Sequence, residues 1–252
     1  SDVCSSDLTR KVLVVVQYTA SMILLCGTLI VFAQLNFMRN QSLGVKTDQT
    51  LVVKFPGRTE GMNTKLEAMK KAIARLPLVD KVTFSGAVPG EEVATFLSNR
   101  RKSDALKQNR LYEMLVCDPD YIDAYGLQLV AGRGFSEDYG DDVNKLVVNE
   151  SAVRNLGIAS NEEALGEEIE VECTDAPMQI IGVVKDYHQQ ALNKNYTPIM
   201  LIHKDKIGWL PQRYISIVMK SGDPKELVSQ VEEIWHRYFE DSRSRSEEHT
   251  SE

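Results

Sequence analysis

Histidines are the side chains best suited to chemistry in this 252-residue sequence, and three of them precede its last eight residues. No two of His188, His203 and His236 have the spacing that places side chains on one face of a helix. His188 directly follows Asp186 and Tyr187, so an acid, a phenol and an imidazole stand in succession. Neighbouring side chains of an extended segment point to opposite faces, however. We therefore expect three separate polar residues and no metal site built from histidines.

Common catalytic motifs are missing from the sequence. It contains no G-x-S-x-G, no H-E-x-x-H and no G-x-x-x-x-G-K-[ST]. We therefore predict that the chain is not an enzyme, that it has no catalytic, cofactor-binding or metal-binding residues, and that it uses no cofactor. A membrane-anchored hydrolase stays open as an alternative, and it would need a polar cluster that the sequence does not reveal.

Acidic and glycine-rich segments offer two weaker candidates for ion binding. Glu137–Asp142 resembles a calcium loop, but it lacks the alternating acidic order and the distal glutamate of an EF-hand. We expect a solvated acidic loop there. The preceding Gly132–Gly134 is too short for a phosphate-binding loop, and we predict a turn. A further acidic series is predicted to face solvent, and its members are Glu162, Glu163, Glu167, Glu168, Glu170 and Glu172.

The four cysteines do not define a known motif. Cys4, Cys26, Cys117 and Cys173 contain no C-x-x-C pair, which argues against a zinc ribbon or a thioredoxin-like motif. They are also too few for a disulfide-dense scaffold. A bridge between Cys117 and Cys173 requires a Cα separation of about 4.4–6.8 Å. The sequence leaves that pairing open.

The composition favours a folded chain that does not bind nucleic acid. Hydrophobic residues make up 43% of the sequence and charged residues 26%, which is enough apolar material for a core. The formal net charge is -7, whereas nucleic-acid-binding domains normally carry a basic patch.

One segment near the N-terminus predicts a transmembrane helix. Val12–Met38 contains no charged residue. At about 1.5 Å per residue, a helix of this length reaches about 40 Å and exceeds the roughly 30 Å hydrocarbon core of a bilayer. Basic residues flank it on both sides, with Arg10 and Lys11 before it and Arg39 and Lys46 after it. Charge bias therefore leaves its orientation open.

Both ends of the sequence are predicted to be foreign to the native chain. One DNA segment can encode residues 245–252 on one strand and residues 1–8 on the complementary strand, as read-through of a sequencing adapter would. We set both peptides aside. We expect the native portion to run from about Thr9 to Ser244 and to be cut at both ends.

The segment after the transmembrane helix predicts a β-α-β unit. Thr50–Phe55 and Val79–Ser85 are rich in β-branched and aromatic residues and are predicted strands. Between them, Thr64 and Glu67 match a capping box, which predicts the start of a helix that continues to Leu76.

The C-terminal part predicts a second, incomplete unit of the same kind. A strand is expected over 213–219 and a helix over 223–239, with Asp223 as its N-cap. We expect this strand and helix to pack beside the first unit in one sheet. That sheet should lack a final strand and have an unpaired edge.

Between the two units, about Glu91–Pro211 predicts a β-rich insertion. Short runs of β-forming residues alternate there with turn signals. The predicted strands are Leu111–Cys117, Gln128–Ala131, Lys145–Asn149, Glu168–Cys173, Met178–Lys185 and Thr197–His203. The predicted short helices are Pro119–Tyr125, Glu150–Leu156 and Asn161–Leu165.

Several stretches resemble an FtsX-like ABC transporter permease with a MacB-type periplasmic core domain. The stretches similar to the first permease helix are Lys11–Ser21, Gln34–Asn36 and Leu43-Gly44. The stretches similar to the core domain are Ser85–Gly90, Asp118–Tyr121 with Gly126 and Ala131–Arg133, Val148–Ala152, and Ile180–His188. The resemblance spans about Arg10 to Phe239 and implies an α+β fold, with one N-terminal transmembrane helix and a core domain of two β-α-β halves around an inserted β-rich lobe.

The resemblance also implies a function and partners. The chain is expected to be a fragment of a permease subunit that couples ATP hydrolysis by a cytoplasmic ABC ATPase to movement of a periplasmic domain, for export or envelope remodelling. Its other expected partners are the lipid bilayer and a second permease half or subunit, with no nucleic acid. The expected location is the bacterial inner membrane, with the soluble domain on the periplasmic side. A sensor or ligand-binding ectodomain anchored by a single helix remains the alternative.

These expectations divide the chain as follows: residues 1–8, adapter-like; 9–40, transmembrane helix; 41–90, membrane-proximal β-α-β half; 91–211, inserted β-rich lobe; 212–244, truncated second half; and 245–252, adapter-like.

Overall fold

The computed structural model describes residues 2–40, 44–47, 49–55, 62–104, 108–140, 142–190, 194–208, 210 and 212–239. The predicted adapter-like residues 245–252 lie outside this set. The chain divides into two units, residues 1–42 and residues 43–252. The helices are α1 (Asp2–Asn40), α2 (Met62–Ile73), α3 (Tyr121–Ala124), α4 (Glu150–Asn155) and α5 (Pro224–Phe239). The strands are β1 (Thr50–Lys54), β2 (Val79–Ser85), β3 (Phe96–Arg101), β4 (Arg110–Cys117), β5 (Leu129–Gly132), β6 (Lys145–Asn149), β7 (Glu168–Val171), β8 (Met178–Val184), β9 (Ile199–His203) and β10 (Tyr214–Met219).

The first unit is the single helix α1. Its stretch Arg10–Phe37 is long and apolar enough to cross a membrane, and its side chains are not buried in protein. The predicted continuous helix over Val12–Met38 is confirmed. The helix also includes residues 2–8, because adding residues to an existing helix costs little free energy. Hydroxyl groups in α1 donate to carbonyl oxygens one turn earlier, as at Thr19, Ser21 and Thr28.

The second unit contains a three-stranded sheet built from both ends of its sequence. The strand order is β1-β10-β2, and both pairings are antiparallel. In register, Thr50 lies opposite Val218 and Tyr214 lies opposite Ser85. The helices α2 and α5 contact each other and share one core with this sheet. The predicted packing of the two distant halves in one sheet is therefore confirmed, with β1 at the end of the strand order.

The two helices of this half differ in how well their starts were predicted. α5 begins as expected, since a carboxylate oxygen of Asp223 accepts a hydrogen bond of 2.9 Å from the backbone N–H of Lys225. The predicted cap at Thr64 is wrong, because α2 already begins at Met62. Glu67 accepts a hydrogen bond of 2.7 Å from Lys204, so a long-range ion pair takes the place of a local cap.

The insertion forms a closed ring of six strands. Their order is β4-β3-β7-β8-β6-β9, and β9 pairs back to β4. The β4–β9 pairing is parallel and runs from Glu113 opposite Ile199 to Cys117 opposite His203. The three-stranded sheet joins the ring through one residue pair, in which Ser85 lies opposite Cys117.

Side chains that alternate in direction along the ring strands pack into two hydrophobic cores. Tyr112, Met114 and Val116 of β4 face one core together with alternate residues of the other ring strands. Leu115 and Cys117 face a second core, which includes α3 and the segments beside it. In a pleated strand, successive side chains point to opposite faces, so β4, β6, β8 and β9 contribute to both cores, whereas β3 and β7 contribute their buried apolar residues to the first core.

Two predictions in the insertion are corrected. Asn161–Leu165 forms consecutive turns and no helix, with the backbone N–H of Leu165 donating to the carbonyl oxygen of Glu162. Strand β3 was not predicted, because its Ser98-Asn99-Arg100-Arg101 sequence is polar and lacks the apolar alternation typical of a strand. The remaining predicted strands differ from the observed ones only at their ends.

Candidate functional site

The three candidate histidines contact different groups. The His188 ring lies 4.5 Å from the Tyr196 ring, and the His203 ring lies 5.8 Å from the Phe135 ring. His236 lies on α5. Within the described residues, no three His, Cys, Asp or Glu side chains form a group that could hold a metal ion.

The acidic segment Glu137–Asp142 is held by an internal ion pair. Both carboxylate oxygens of Asp142 accept hydrogen bonds from Arg133, at 2.6 and 2.8 Å, and one also accepts from the backbone N–H of Ser136. The hydrogen bonds from Arg133 are the main cause that lowers the pKa of Asp142. Asp142 therefore holds the loop in place through its hydrogen bonds with Arg133 and Ser136. Asp141 lies outside the described residues.

The predicted turn at Gly132–Gly134 is a close contact between β5 and β8. A Cβ atom on Gly182 would lie 2.0 Å from the carbonyl oxygen of Arg133. A Cβ on Gly132 would lie 2.1 Å from the carbonyl oxygen of Ile181, and Gly132 also has a φ of 65°. Only glycine allows these two backbones to approach so closely.

Several glutamates of the acidic series also form ion pairs with basic residues. Arg101 donates to Glu167 at 2.9 Å and Lys102 donates to Glu168 at 2.6 Å, while Arg100 pairs with Glu170. These ion pairs link β3 and the residue that follows it to β7 and the residue that precedes it. The predicted solvent face is confirmed, because none of these glutamates is buried. Their ion pairs were not predicted, because the basic run of β3 was not recognised as part of a strand.

The two cysteines left open by the sequence do not form a bridge. Cys117 and Cys173 are both free, and Cys117 is completely buried whereas Cys173 is exposed. Burial, with the charge of Asp118 as a smaller cause, raises the pKa of the Cys117 thiol well above its ordinary value.

A buried carboxylate with three hydrogen-bond donors around it, Asp118, lies directly after β4. Its carboxylate accepts hydrogen bonds from Lys70 Nζ at 2.6 Å, Thr83 Oγ1 at 2.5 Å and the Phe84 backbone N–H at 2.9 Å. Lys70 also donates to Asp120 at 2.5 Å. Burial lowers the pKa of Lys70, but the charge of Asp118 and the hydrogen bonds to both carboxylates outweigh it and raise that pKa. Lys70 therefore stays charged and holds α2 against the end of β4.

Two further ion pairs join the three-stranded half to the ring. Lys81 of β2 donates to Asp123 of α3 at 2.7 Å. Lys204, which follows β9, donates to Glu67 of α2 at 2.7 Å. Together with Lys70, these residues form charged links from α2 and β2 to the insertion, beside the place where Ser85 of β2 pairs with Cys117 of β4.

Residues 44–47, here named the connector, lie against α3 and against the segment after β8. The backbone N–H of Lys46 donates to the carbonyl oxygen of Tyr125 at 2.8 Å. A Cβ on Gly44 would lie 3.3 Å from Cβ of Tyr187, and Val45 packs against the core that contains Tyr187. A Cβ on Gly126 would lie 2.9 Å from the Lys46 side chain. The connector is thus docked and not solvated on all sides.

We call Asp118–Gly126 the junction segment, because it contacts the first β-α-β half, strand β10 and the connector. Asp118, Asp120 and Asp123 contact the first β-α-β half, as described above. The Tyr125 hydroxyl lies 2.7 Å from Oγ of Ser216 on β10, in a buried hydrogen bond. Its backbone also accepts from the connector. A displacement of any one part therefore acts on the same short segment.

Sequence reasoning found only half of this site. Asp118, Asp120, Tyr121 and Gly126 were singled out in the family resemblance, whereas Asp123 and Tyr125 were not. The residues that contact the junction segment, Lys46, Lys70, Lys81 and Ser216, carried no local signal. Each partner is an ordinary polar residue on an element that is distant in sequence. Only the tertiary structure brings them to the junction segment.

The comparisons with known proteins agree with this architecture. The sequence profile of the MacB-like periplasmic core domain matches residues 20–234. The chain belongs to this family. It is therefore homologous to the periplasmic domains of MacB-like ABC transporter permeases, and α1 indicates a membrane-anchored chain with an extracytoplasmic domain.

Two solved structures share the fold. A domain of a putative permease protein from Porphyromonas gingivalis has a TM-score of 0.51 at 20% identity, and the match covers 76% of this chain and 84% of that one. The periplasmic region of MacB from Actinobacillus actinomycetemcomitans also has a TM-score of 0.51, at 17% identity, and the match covers 77% of this chain and 85% of that one. No curated protein sequence matches the chain.

Proposed function

We propose that this chain is part of the permease subunit of a MacB/FtsX-type ABC transporter. A cytoplasmic ATPase partner hydrolyses ATP, and α1 moves in the bacterial inner membrane. The second unit moves in response on the periplasmic side, for export or envelope remodelling. The chain acts by movement and not by catalysis, and a second permease half or subunit is a further partner.

The docked connector is the observation that carries this proposal. A flexible, solvated linker would absorb a movement of α1 as a change in its own conformation. Here Lys46 is hydrogen-bonded to Tyr125, Val45 is packed against a core, and Gly44 lies against Tyr187. A displacement of the connector is therefore passed to the junction segment as a rigid-body movement.

The junction segment extends the same argument to the rest of the unit. Its ion pairs with Lys70 and Lys81 reach α2 and β2, and its hydrogen bond with Ser216 reaches β10. These contacts support movement of the three-stranded half and the ring as one body.

The strand topology also supports domain boundaries at 41–90 and 212–244 for the two β-α-β halves and at 91–211 for the insertion.

Two native cysteines allow a direct test of this movement. Cys26 of α1 and Cys173 of the insertion are exposed, whereas Cys117 is buried. The complete permease is reconstituted with its ATPase in lipid nanodiscs and spin-labelled at Cys26 and Cys173. Trapping the ATPase with a nucleotide analogue is expected to change the distance between the labels.

The matched variants distinguish coupling from simple folding. Replacing Leu43-Gly44-Val45 with a long Gly/Ser linker is expected to abolish the distance change while ATP hydrolysis continues. The same linker inserted after Gly140, an exposed turn with open space around it, is expected to leave the distance change intact. An unaltered distance change in the first variant would show that the movement does not pass through the docked connector, and it would overturn the proposal.

A further inference from the structure

Strand β3 has neighbouring strands on both sides along only part of its length. β4 pairs with Phe96–Asn99, but β7 pairs only with Asn99–Arg101. Within the described residues, Phe96–Ser98 therefore has a strand partner on one side alone. On the other side, the backbone N–H of Ser98 donates to Oε2 of Glu172 at 2.8 Å. A side-chain carboxylate thus occupies a donor that an added strand would use.

A groove lies beside this open edge. Its volume is about 450 Å³, within the range of sites that bind small ligands or peptide side chains. Ser98 and Arg100 of β3 line it on one side, and Glu170 and Glu172 line it on the other. The turn Thr174–Pro177 forms a further wall. The open backbone edge and the groove are therefore parts of one surface.

The charge of this groove is negative. Arg100 is the single cationic side chain among the described residues that line it, and it pairs with Glu170. The Glu172 carboxylate accepts only a neutral backbone N–H from Ser98. Asp175 is exposed and has no hydrogen-bond or ion-pair partner within the described part of the chain. Among the described residues, Glu172 and Asp175 thus have no cationic partner.

Apolar side chains adjoin the groove on the same face of the sheet. Alternate residues of a strand share a face, so Phe96 points to the same side as Ser98 and Arg100. Leu111 lies opposite Ser98 on β4 and shares that face. Phe96 is 48% exposed and Leu111 is 65% exposed. Apolar contact and negative charge are therefore available side by side.

We propose that this edge is a docking site for an extended peptide segment of a partner protein that carries basic side chains. The segment adds to β3 as a strand, and one of its carbonyl oxygens replaces the Glu172 carboxylate as the acceptor for the Ser98 N–H. Glu172 and Asp175 then pair with lysine or arginine side chains of the segment. In strand addition, backbone hydrogen bonds supply affinity and alternate side chains supply specificity. This site does not depend on coupling to ATP hydrolysis.

Peptide binding to the full chain in detergent micelles tests the proposal. The probe is a fluorescent peptide of alternating lysine and valine, and binding is followed by fluorescence anisotropy. The same peptide with glutamate in place of lysine, or with N-methyl groups on alternate backbone nitrogens, is expected not to bind. Hydrogen exchange is expected to slow at the backbone amides of Phe96 and Ser98 when the lysine peptide is bound.

Variants of the chain provide the second part of the test. The double variant Glu172→Gln, Asp175→Asn keeps the hydrogen-bonding shape and is expected to bind the lysine peptide about tenfold more weakly, because two charge-assisted contacts are lost. Glu232→Gln removes a charge from the exposed side of α5 and is expected to bind normally. Equal binding of the N-methylated peptide, or unchanged affinity in the double variant, would overturn the proposal. Occupation of the edge by a second copy of the chain, seen as a dimer that excludes the peptide, would also overturn it.

Discussion

The backbone N–H of Lys46 lies 2.8 Å from the carbonyl oxygen of Tyr125, and the methylene groups of the same lysine cover Gly126. The connector is therefore fixed to the end of α3 by its backbone and by its side chain. Because the junction segment also carries charged contacts to α2 and β2, the connector reaches most of the second unit through one short segment. The following predictions examine that segment and the packing around it.

Substitution of Gly126 is expected to disturb the connector specifically. Gly126 has a φ of 59°, and a Cβ there would lie 2.9 Å from the Lys46 side chain. Gly157 has a similar φ of 71° with open space around it. Gly126→Ala and Gly157→Ala should each lose about 1–2 kcal/mol from left-handed backbone strain. Only Gly126→Ala should also speed hydrogen exchange at the Lys46 amide, and equal exchange in both variants would contradict the docking.

The two carboxylates that share Lys70 are expected to differ in their effect on stability. The Asp118 side chain is fully buried, whereas that of Asp120 is 56% exposed. Asp118→Asn leaves Lys70 without its buried counter-ion and should cost about 3–5 kcal/mol of unfolding free energy. Asp120→Asn removes a surface ion pair and should cost at most about 1 kcal/mol. Denaturant unfolding of the full chain in micelles measures both values, and similar losses would show that Asp118 does not act as a buried charge.

A methyl group between β5 and β8 is expected to be poorly tolerated. Gly182→Ala places Cβ 2.0 Å from the carbonyl oxygen of Arg133, so one of the two backbones must move. We expect a loss of about 3 kcal/mol or more in unfolding free energy, at the upper end of overpacking effects. Gly208→Ala, with nothing within 4 Å, should stay within about 0.5 kcal/mol of the parent chain. A stable Gly182→Ala chain would show that the strands can separate at this contact.

Two buried carboxyl groups should give opposite dependence of stability on pH. Burial raises the pKa of Glu113 above its ordinary value of 4.5, so the folded state binds its proton more tightly than the unfolded state. Stability from this group is present below the ordinary pKa and is lost as pH rises through the raised one. Glu113→Gln should therefore become more stable relative to the parent chain as pH increases toward neutrality.

Asp142 provides the control of opposite sign. The hydrogen bonds from Arg133 lower its pKa below the ordinary value of 3.8. Stability from Asp142 is therefore present above that value and is lost as pH falls through the lowered pKa. Asp142→Asn should be destabilised at neutral pH, with a difference that shrinks in acid. Thermal unfolding of both variants between about pH 3 and about pH 8 tests the signs, and parallel curves for the two would contradict the assignment.

Local signals in the sequence were sufficient for several elements. The apolar run Val12–Met38 predicts α1 because helix length and lack of charge are properties of one continuous segment. The Asp223 cap and the following apolar stripe likewise predict α5. β2 was predicted with its observed bounds, because four of its seven residues, Val79, Val82, Thr83 and Phe84, are β-branched or aromatic. In each case, the residues that determine the element lie within it.

Tertiary structure decided what these elements do together. The closure of the ring depends on β9 pairing with β4, and β3 is a strand mainly because β4 and β7 lie beside it. Lys70 reaches Asp118 only after α2 packs against the end of β4. Periodicity in a sequence specifies which face of an element is buried, but not which distant element covers that face. The apolar helix α1, the unit β1-α2-β2 and the pair β10-α5 were thus determined by the sequence itself, whereas the junction segment, its charged partners and the open edge of β3 were determined by long-range pairing.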